Sequence, residues 1–230
     1  MQYVLSDIHG NEPRFDAILA RIDLQPEDML YVLGDVVDRY PHGIRLLQRI
    51  MAMPNAKMLL GNHEYMLLRA MGVPYDDNFD DGRAMAHWYR NGGRVTHDAL
   101  LALPEQEREE MLAYLRGLPL ELEVTAAGWA YRLVHGAPAA SFDGDSRYCN
   151  PIHYAVWKRL EQDAAFPGGT LIFGHTPTRY YQSDSPMALW YGEGKIGIDC
   201  GCGYPPEGAE GILGRLACLR LEDGAVFYAQ

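Results

Sequence analysis

Residues 29–39 read MLYVLGDVVDR: an apolar run, a glycine, then two carboxylates and an arginine. MLYVLGD (29–35) has the character of a strand, and Gly34 lets the backbone turn sharply without a Cβ penalty. The pattern repeats on either side. Upstream, YVLS (3–6) reads as a buried strand that leads to Asp7 and His9. A helix follows from near Pro13, whose fixed φ suits a first helical turn, with Phe15, Ile18, Leu19 and Ile22 at helical spacing. Downstream, a helix from about Ile44 puts Leu47 and Met51 on one face, and AKMLLGN (56–62) reads as a third strand, followed by His63. This β-α-β-α-β succession predicts a parallel sheet with helices on its faces.

Residues 64–117 read as mostly helical, with NGG (91–93) as a helix stop and LPEQEREEMLAYL (103–115) as a capped amphipathic helix. From about 119 the chain turns strand-rich: LELEV, AYRLVHG, TLIFGH, MALWY, KIGIDC, ILGRLACLRLE and AVFYAQ, interrupted by a helix around 151–162. GEGKIG (192–197) precedes a strand-like run rather than a helix, so it reads as a hairpin turn and not a phosphate loop. The expected class is α/β, with two packed mixed β-sheets flanked by helices and a helical insertion over about 64–117. No Ser/Gly-rich or Pro-rich linker divides residues 1–230, which predicts one domain.

A net charge of −11 argues against a general nucleic-acid binder, which needs a basic face, but not against an anionic substrate at a metal site. MQYVLSDIHG does not read as a signal peptide and no apolar run is long enough to span a membrane, so the expected compartment is the cytoplasm, with no membrane partner. The four cysteines (149, 200, 202 and 218) form no C-x-x-C pair and are expected to be reduced, structural thiols.

The apolar runs all end alike. YVLS leads to Asp7 and His9, YVLG to Asp35 and Asp38, MLLG to Asn62 and His63, YRLV to His135, and LIFG to His175. Binding crevices of open α/β sheets lie beyond the carboxyl ends of parallel strands. Imidazole mixed with carboxylate and amide oxygen suits transition ions such as Mn, Fe, Zn or Co better than Ca or Mg. Six ligands are too many for one open catalytic site and about right for two ions sharing a carboxylate, which fits phosphate-ester hydrolysis.

Asp7-Ile8-His9, Gly34-Asp35-Val36-Val37-Asp38-Arg39, Gly61-Asn62-His63-Glu64, His135-Gly136 and Gly174-His175-Thr176 together resemble the ordered signature of the calcineurin-like metallophosphoesterases. The form is closest to the phosphoprotein phosphatase branch, which includes bacteriophage lambda phosphatase and bacterial symmetrical diadenosine tetraphosphatases. WYRNGG (88–93) and IDCGCG (198–203) are also similar to stretches of bacterial members. The resemblance implies two divalent transition-metal ions, with Mn expected and Fe, Zn, Co or Ni as the other options. Asp7 and His9 would hold the first, Asp35 would bridge, and Asn62, His135 and His175 would complete the second. His63, oriented by Asp38, would be the general acid, and Arg39 and Arg159 would bind phosphate oxygens. Glu64 is expected to start the following helix.

Three positions depart from the pattern. Pro177 stands where many members carry a second histidine, Leu60 where the branch often has arginine, and Tyr40 where glycine is common. His42, His87, His97 and His153 match no motif and read as structural or solvated. The implied activity is hydrolysis of phosphomonoesters by attack of water activated between two metals, with phosphoserine, phosphothreonine or phosphotyrosine of a protein as substrate. Symmetrical hydrolysis of a dinucleoside polyphosphate is the alternative, and a catalytically silent binding protein on the same fold is the third reading.

Overall fold

The computed structural model describes residues 1–73, 75, 82–205, 207–208 and 211–230. The first half alternates β1 (Gln2–Leu5), α1 (Glu12–Ile22), β2 (Met29–Val32), α2 (Gly43–Ala52) and β3 (Ala56–Met58). Four helices follow: α3 (Asn62–Ala70), α4 (Ala84–Arg90), α5 (Arg94–Leu101) and α6 (Glu105–Arg116). The second half holds β4 (Glu121–Ala126), β5 (Trp129–Val134), α7 (Pro151–Trp157), β6 (Thr170–Phe173), β7 (Trp190–Gly192), β8 (Lys195–Gly197), β9 (Leu216–Arg220) and β10 (Val226–Ala229).

The strands form two mixed five-stranded sheets, in the orders β10-β9-β1-β2-β3 and β4-β5-β6-β8-β7. β1, β2 and β3 run parallel in the first sheet, and β5, β6 and β8 in the second. The antiparallel members, β9 and β10 in one and β4 and β7 in the other, lie toward the sheet margins. Period-two alternation sends successive side chains to opposite faces. Tyr3 and Leu5 join Leu30 and Val32 under the helices, while Val4, Tyr31 and Leu33 face the other sheet. There they pack on Leu133, Ile172 and Ile198, so one apolar layer glues the two sheets together. The outer face of the second sheet packs Val134, Leu171 and Phe173 against Tyr181 and Trp190.

Several boundaries differ from the sequence reading, and three of them flank the site-bearing segments. The second and third strands stop at Val32 and Met58 rather than at 35 and 62. Beyond Met58, Leu59 N–H still bonds to Val32 O of β2 while Leu60 N–H bonds to Pro119 O, and Asn62 already opens α3. The helix expected over 151–162 ends at Trp157, because Lys158 adopts an extended backbone (φ −68°, ψ 126°). The hairpin reading of 192–197 holds, as β7 and β8 pair antiparallel across Glu193-Gly194. NGG does separate α4 from α5, and all four cysteines are free thiols.

Candidate active site

Parallel pairing points the ends of β1, β2 and β3 one way and those of β5 and β6 toward the same crevice, so five chain segments deliver their polar residues together. The turns that do this are strained. Eight described non-glycine residues have positive φ, and six of them are Asp7, His9, Asp35, Asp38, Arg39 and His175. Left-handed backbone is uncommon outside glycine, and its concentration here marks a functional centre. Gly61 allows a close approach: a Cβ there would lie 2.3 Å from Asp35 Oδ1.

Asp35 sits at the middle. Two groups of ligand-type atoms share it, one with His9 and His63 and the other with His135 and His175, each group lying within 4.8 Å. Asn62 Oδ1 lies 2.9 Å from His135 Nε2 and 2.8 Å from His175 Nδ1. Asp7 Oδ1 is 3.9 Å from His9 Nε2, while its Oδ2 accepts from Ser6 Oγ and from His175 N–H.

The second ring nitrogen of each histidine sorts their roles. His9 Nδ1 meets Val37 O at 3.2 Å, His135 Nδ1 meets Leu33 O at 2.6 Å, and His175 Nε2 meets Trp157 O at 3.1 Å. A ring nitrogen facing a carbonyl must carry the proton, so in all three the lone pair points inward at other acceptors. Acceptors that converge without a donor fit a cation between them, and the backbone carbonyls are the outer partners that ligating histidines usually have. Burial lowers the pKa of His9, His135 and His175, which favours the neutral ring that a metal ligand needs.

His63 differs. Its Nδ1 lies 2.6 Å from Asp38 Oδ2, and its Nε2 lies 3.3 Å from Arg39 Nη2 and 3.9 Å from Asp35 Oδ2. Burial alone would lower its pKa, but the charge of Asp35 and the bond to Asp38 outweigh burial, and the pKa is raised. A guanidinium beside Nε2 disfavours a metal ion there and suits an anion.

The carboxylates crowd negative charge into the pocket. Asp7, Asp35 and Asp199 are 2 %, 2 % and 5 % exposed, and so close that they repel. Burial, with Asp199 and Asp35, drives the pKa of Asp7 upward, and burial pushes Asp199 up to about 6. Burial opposes ionisation of Asp35 as well, but the imidazoles around it, His135 first, hold its carboxyl below the usual range. The residues present fit a centre for divalent cations, with Asp35 common to its two groups of possible ligands.

Every residue singled out from sequence except Arg159 lies in this cluster. Arg159 is exposed at the rim, its guanidinium 5.5 Å from the Tyr180 ring centre, near enough for its charge to be felt at His175 and Asp199. Three further residues belong to the site. Asp199 adds a buried carboxylate, Trp88 donates from Nε1 to Asp38 Oδ2 at 2.8 Å, and Glu64 accepts backbone N–H groups of Asp35, Val36, Val37 and Gly61. Trp88 and Asp199 stand within WYRNGG and IDCGCG, where similarity to bacterial members was the one signal.

The calcineurin-like phosphoesterase family model matches residues 3–196. The chain belongs to the calcineurin-like phosphoesterases. It is 36% identical over 137 residues to a symmetrical bis(5'-nucleosyl)-tetraphosphatase of Acidovorax ebreus, covering 58% of this chain and 42% of that one. It is 29% identical over 188 residues to serine/threonine-protein phosphatase 2 of Salmonella typhimurium, covering 77% and 80%. The phosphoesterase chain thus spans less than half the length of the Acidovorax relative. A metallophosphoesterase structure from Sphaerobacter thermophilus shares the fold at a TM-score of 0.58 and 18% identity, over 99% of this chain and 86% of that one. No helix among the described residues is long and apolar enough to cross a membrane.

Proposed function

We propose that the chain hydrolyses dinucleoside polyphosphates symmetrically at a two-metal centre. The sequence placed protein phosphomonoesters first. The order is reversed here because the tetraphosphatase relative reaches the higher identity, 36% against 29%. The observation that carries hydrolysis at phosphorus is the contrast between three inward-facing neutral histidines and one histidine held by a carboxylate.

His9 and Asp7 would hold one ion, Asn62, His135 and His175 the other, and Asp35 would serve both. Divalent ions in such a centre activate water and neutralise phosphoryl oxygens. The chain supplies the remaining work. Arg39, 3.3 Å from His63 Nε2, grips phosphoryl oxygens and sets the scissile bond against that nitrogen. His63 keeps a proton at Nε2 because Asp38 stabilises the imidazolium, and gives it to the departing phosphate oxygen. Trp88 fixes Asp38, so the dyad needs no rearrangement at the moment of transfer.

Phosphoprotein dephosphorylation is the second reading, favoured by the two-sided coverage of the Salmonella relative. The same core serves both, and the pocket walls decide. The test sets diadenosine tetraphosphate, a phosphoserine peptide and a phosphotyrosine peptide side by side on manganese-reconstituted protein. Two ADP per turnover with slow peptide cleavage is the expected result. Fast peptide turnover with intact tetraphosphate would establish the second reading.

A further inference from the structure

One turn along α3 from Asn62 and His63 lies a cavity of about 280 Å3. Its walls include Met66, Arg69, Arg83, His87, Arg90 and Trp157. Met66 and Arg69 follow Asn62 by four and seven residues and so share its helix face. No carboxylate is among the described lining residues, in a chain of net charge −11. Three arginines are gathered where the sequence otherwise spreads acid.

Three observations assign a ligand class. Arg69 Nε is buried without a hydrogen-bond partner, and its guanidinium lies 5.7 Å from the Tyr65 ring centre. Arg69 nevertheless lines the cavity, and a guanidinium there suits an anion. His87 stacks on Trp157 at 5.6 Å and 16°, giving the cavity a flat aromatic wall suited to a base. Trp157 is the residue whose carbonyl faces His175 and whose ring meets it edge-on at 5.8 Å, so this wall is tied to the metal site. Finally, Arg90 also lines a second cleft of about 520 Å3 that contains Arg39. The positive path therefore runs from Arg39 and His63, on the leaving-group side, past Arg90 to Arg69.

We propose that this cavity is a subsite for the departing nucleoside diphosphate: Arg69, Arg83 and Arg90 take its phosphates, and the His87–Trp157 wall takes its base. The proposal rests on the dinucleoside polyphosphate reading above and names the half of the substrate that lies beyond the scissile bond. It explains how one metal core can prefer a long polyanion to a lone phosphoryl group.

The test is titration calorimetry of ADP, with inorganic phosphate as the probe of the metal centre, on manganese-loaded protein. Wild type is compared with Arg83→Gln/Arg90→Gln, whose side chains are exposed, and with Arg90→Gln alone as a milder change. ADP affinity should fall at least tenfold in the double variant, with inorganic phosphate affected far less. ADP affinity within twofold of wild type would overturn the subsite. Turnover of diadenosine tetraphosphate separates this from the function. ADP binding that depends on the arginines, without tetraphosphate cleavage, keeps the subsite and sinks the proposed reaction. Cleavage by both proteins at one KM keeps the reaction and sinks the subsite.

Discussion

The Glu64 carboxylate accepts the backbone N–H of Asp35 at 2.8 Å, so the residue after His63 fixes the backbone of the carboxylate that the two groups of possible ligands share. Val36, Val37 and Gly61 donate to the same carboxylate at 2.8, 3.2 and 3.2 Å. Burial and the nearby charge of Asp35 push Glu64 up to about 7, and these four donors act against that. Glu64→Gln keeps the shape but turns an amide NH2 toward N–H donors. The expected loss is about 3 kcal/mol of stability, the scale of hydrogen bonds to a buried charged group, with weaker metal retention. Urea unfolding checks it, and a midpoint equal to wild type would mean the clamp contributes nothing.

Asp35→Asn tests the shared carboxylate. An amide oxygen is a neutral, weaker ligand, and the change also removes the negative charge that two cations would share. Metal content per chain should fall from two ions to one or none, and turnover should fall with it. Elemental analysis after gel filtration reads the first directly. Two retained ions would overturn the bridging role even if activity were lost.

His63→Asn should lower kcat by roughly 100- to 10,000-fold, the usual range for a positioned general acid. The loss should depend on the leaving group. A p-nitrophenolate departs readily without a proton, so the variant should be closer to wild type on p-nitrophenyl phosphate than on phenyl phosphate. Equal losses on the two substrates would show that His63 serves binding or metal placement instead of proton donation.

Much of this site was legible because short apolar runs end in polar residues, and chain order alone brings Asp7, Asp35, Asn62, His135 and His175 to strand ends. The strain was hidden, since nothing in Asp38 or Arg39 signals φ values of 73° and 71°. Glu64 was legible as a helix-start residue, but its hold on Asp35 is a contact 29 residues away. The strand ending at Asn62 was drawn too long because Leu59 and Leu60 are apolar and buried and so prolong the run past Met58, where β3 ends. Asp199 read as the end of one more strand, and its repulsion with Asp7 exists only once the two sheets meet.

Trp88 reaches Asp38 from the helical stretch, 50 residues along the chain, and ties that stretch to the chemistry. Asp38 Oδ2 takes both Trp88 Nε1–H and His63 Nδ1–H, while its Oδ1 is buried without a partner, so Trp88 is half of what aims this carboxylate. Trp88→Phe removes the donor and retains most of the buried ring. If Trp88 acts through Asp38, kcat should fall about tenfold, the rate equivalent of one ordinary hydrogen bond, with KM little changed. A merely structural loss could imitate the fall in rate, so the deciding measurement is a double-mutant cycle with Asp38→Asn. Once Asp38 no longer carries the charge that steadies His63, removing Trp88 should cost almost nothing further. Two losses that multiply independently would show that Trp88 supports the fold alone and that His63 and Asp38 act without it.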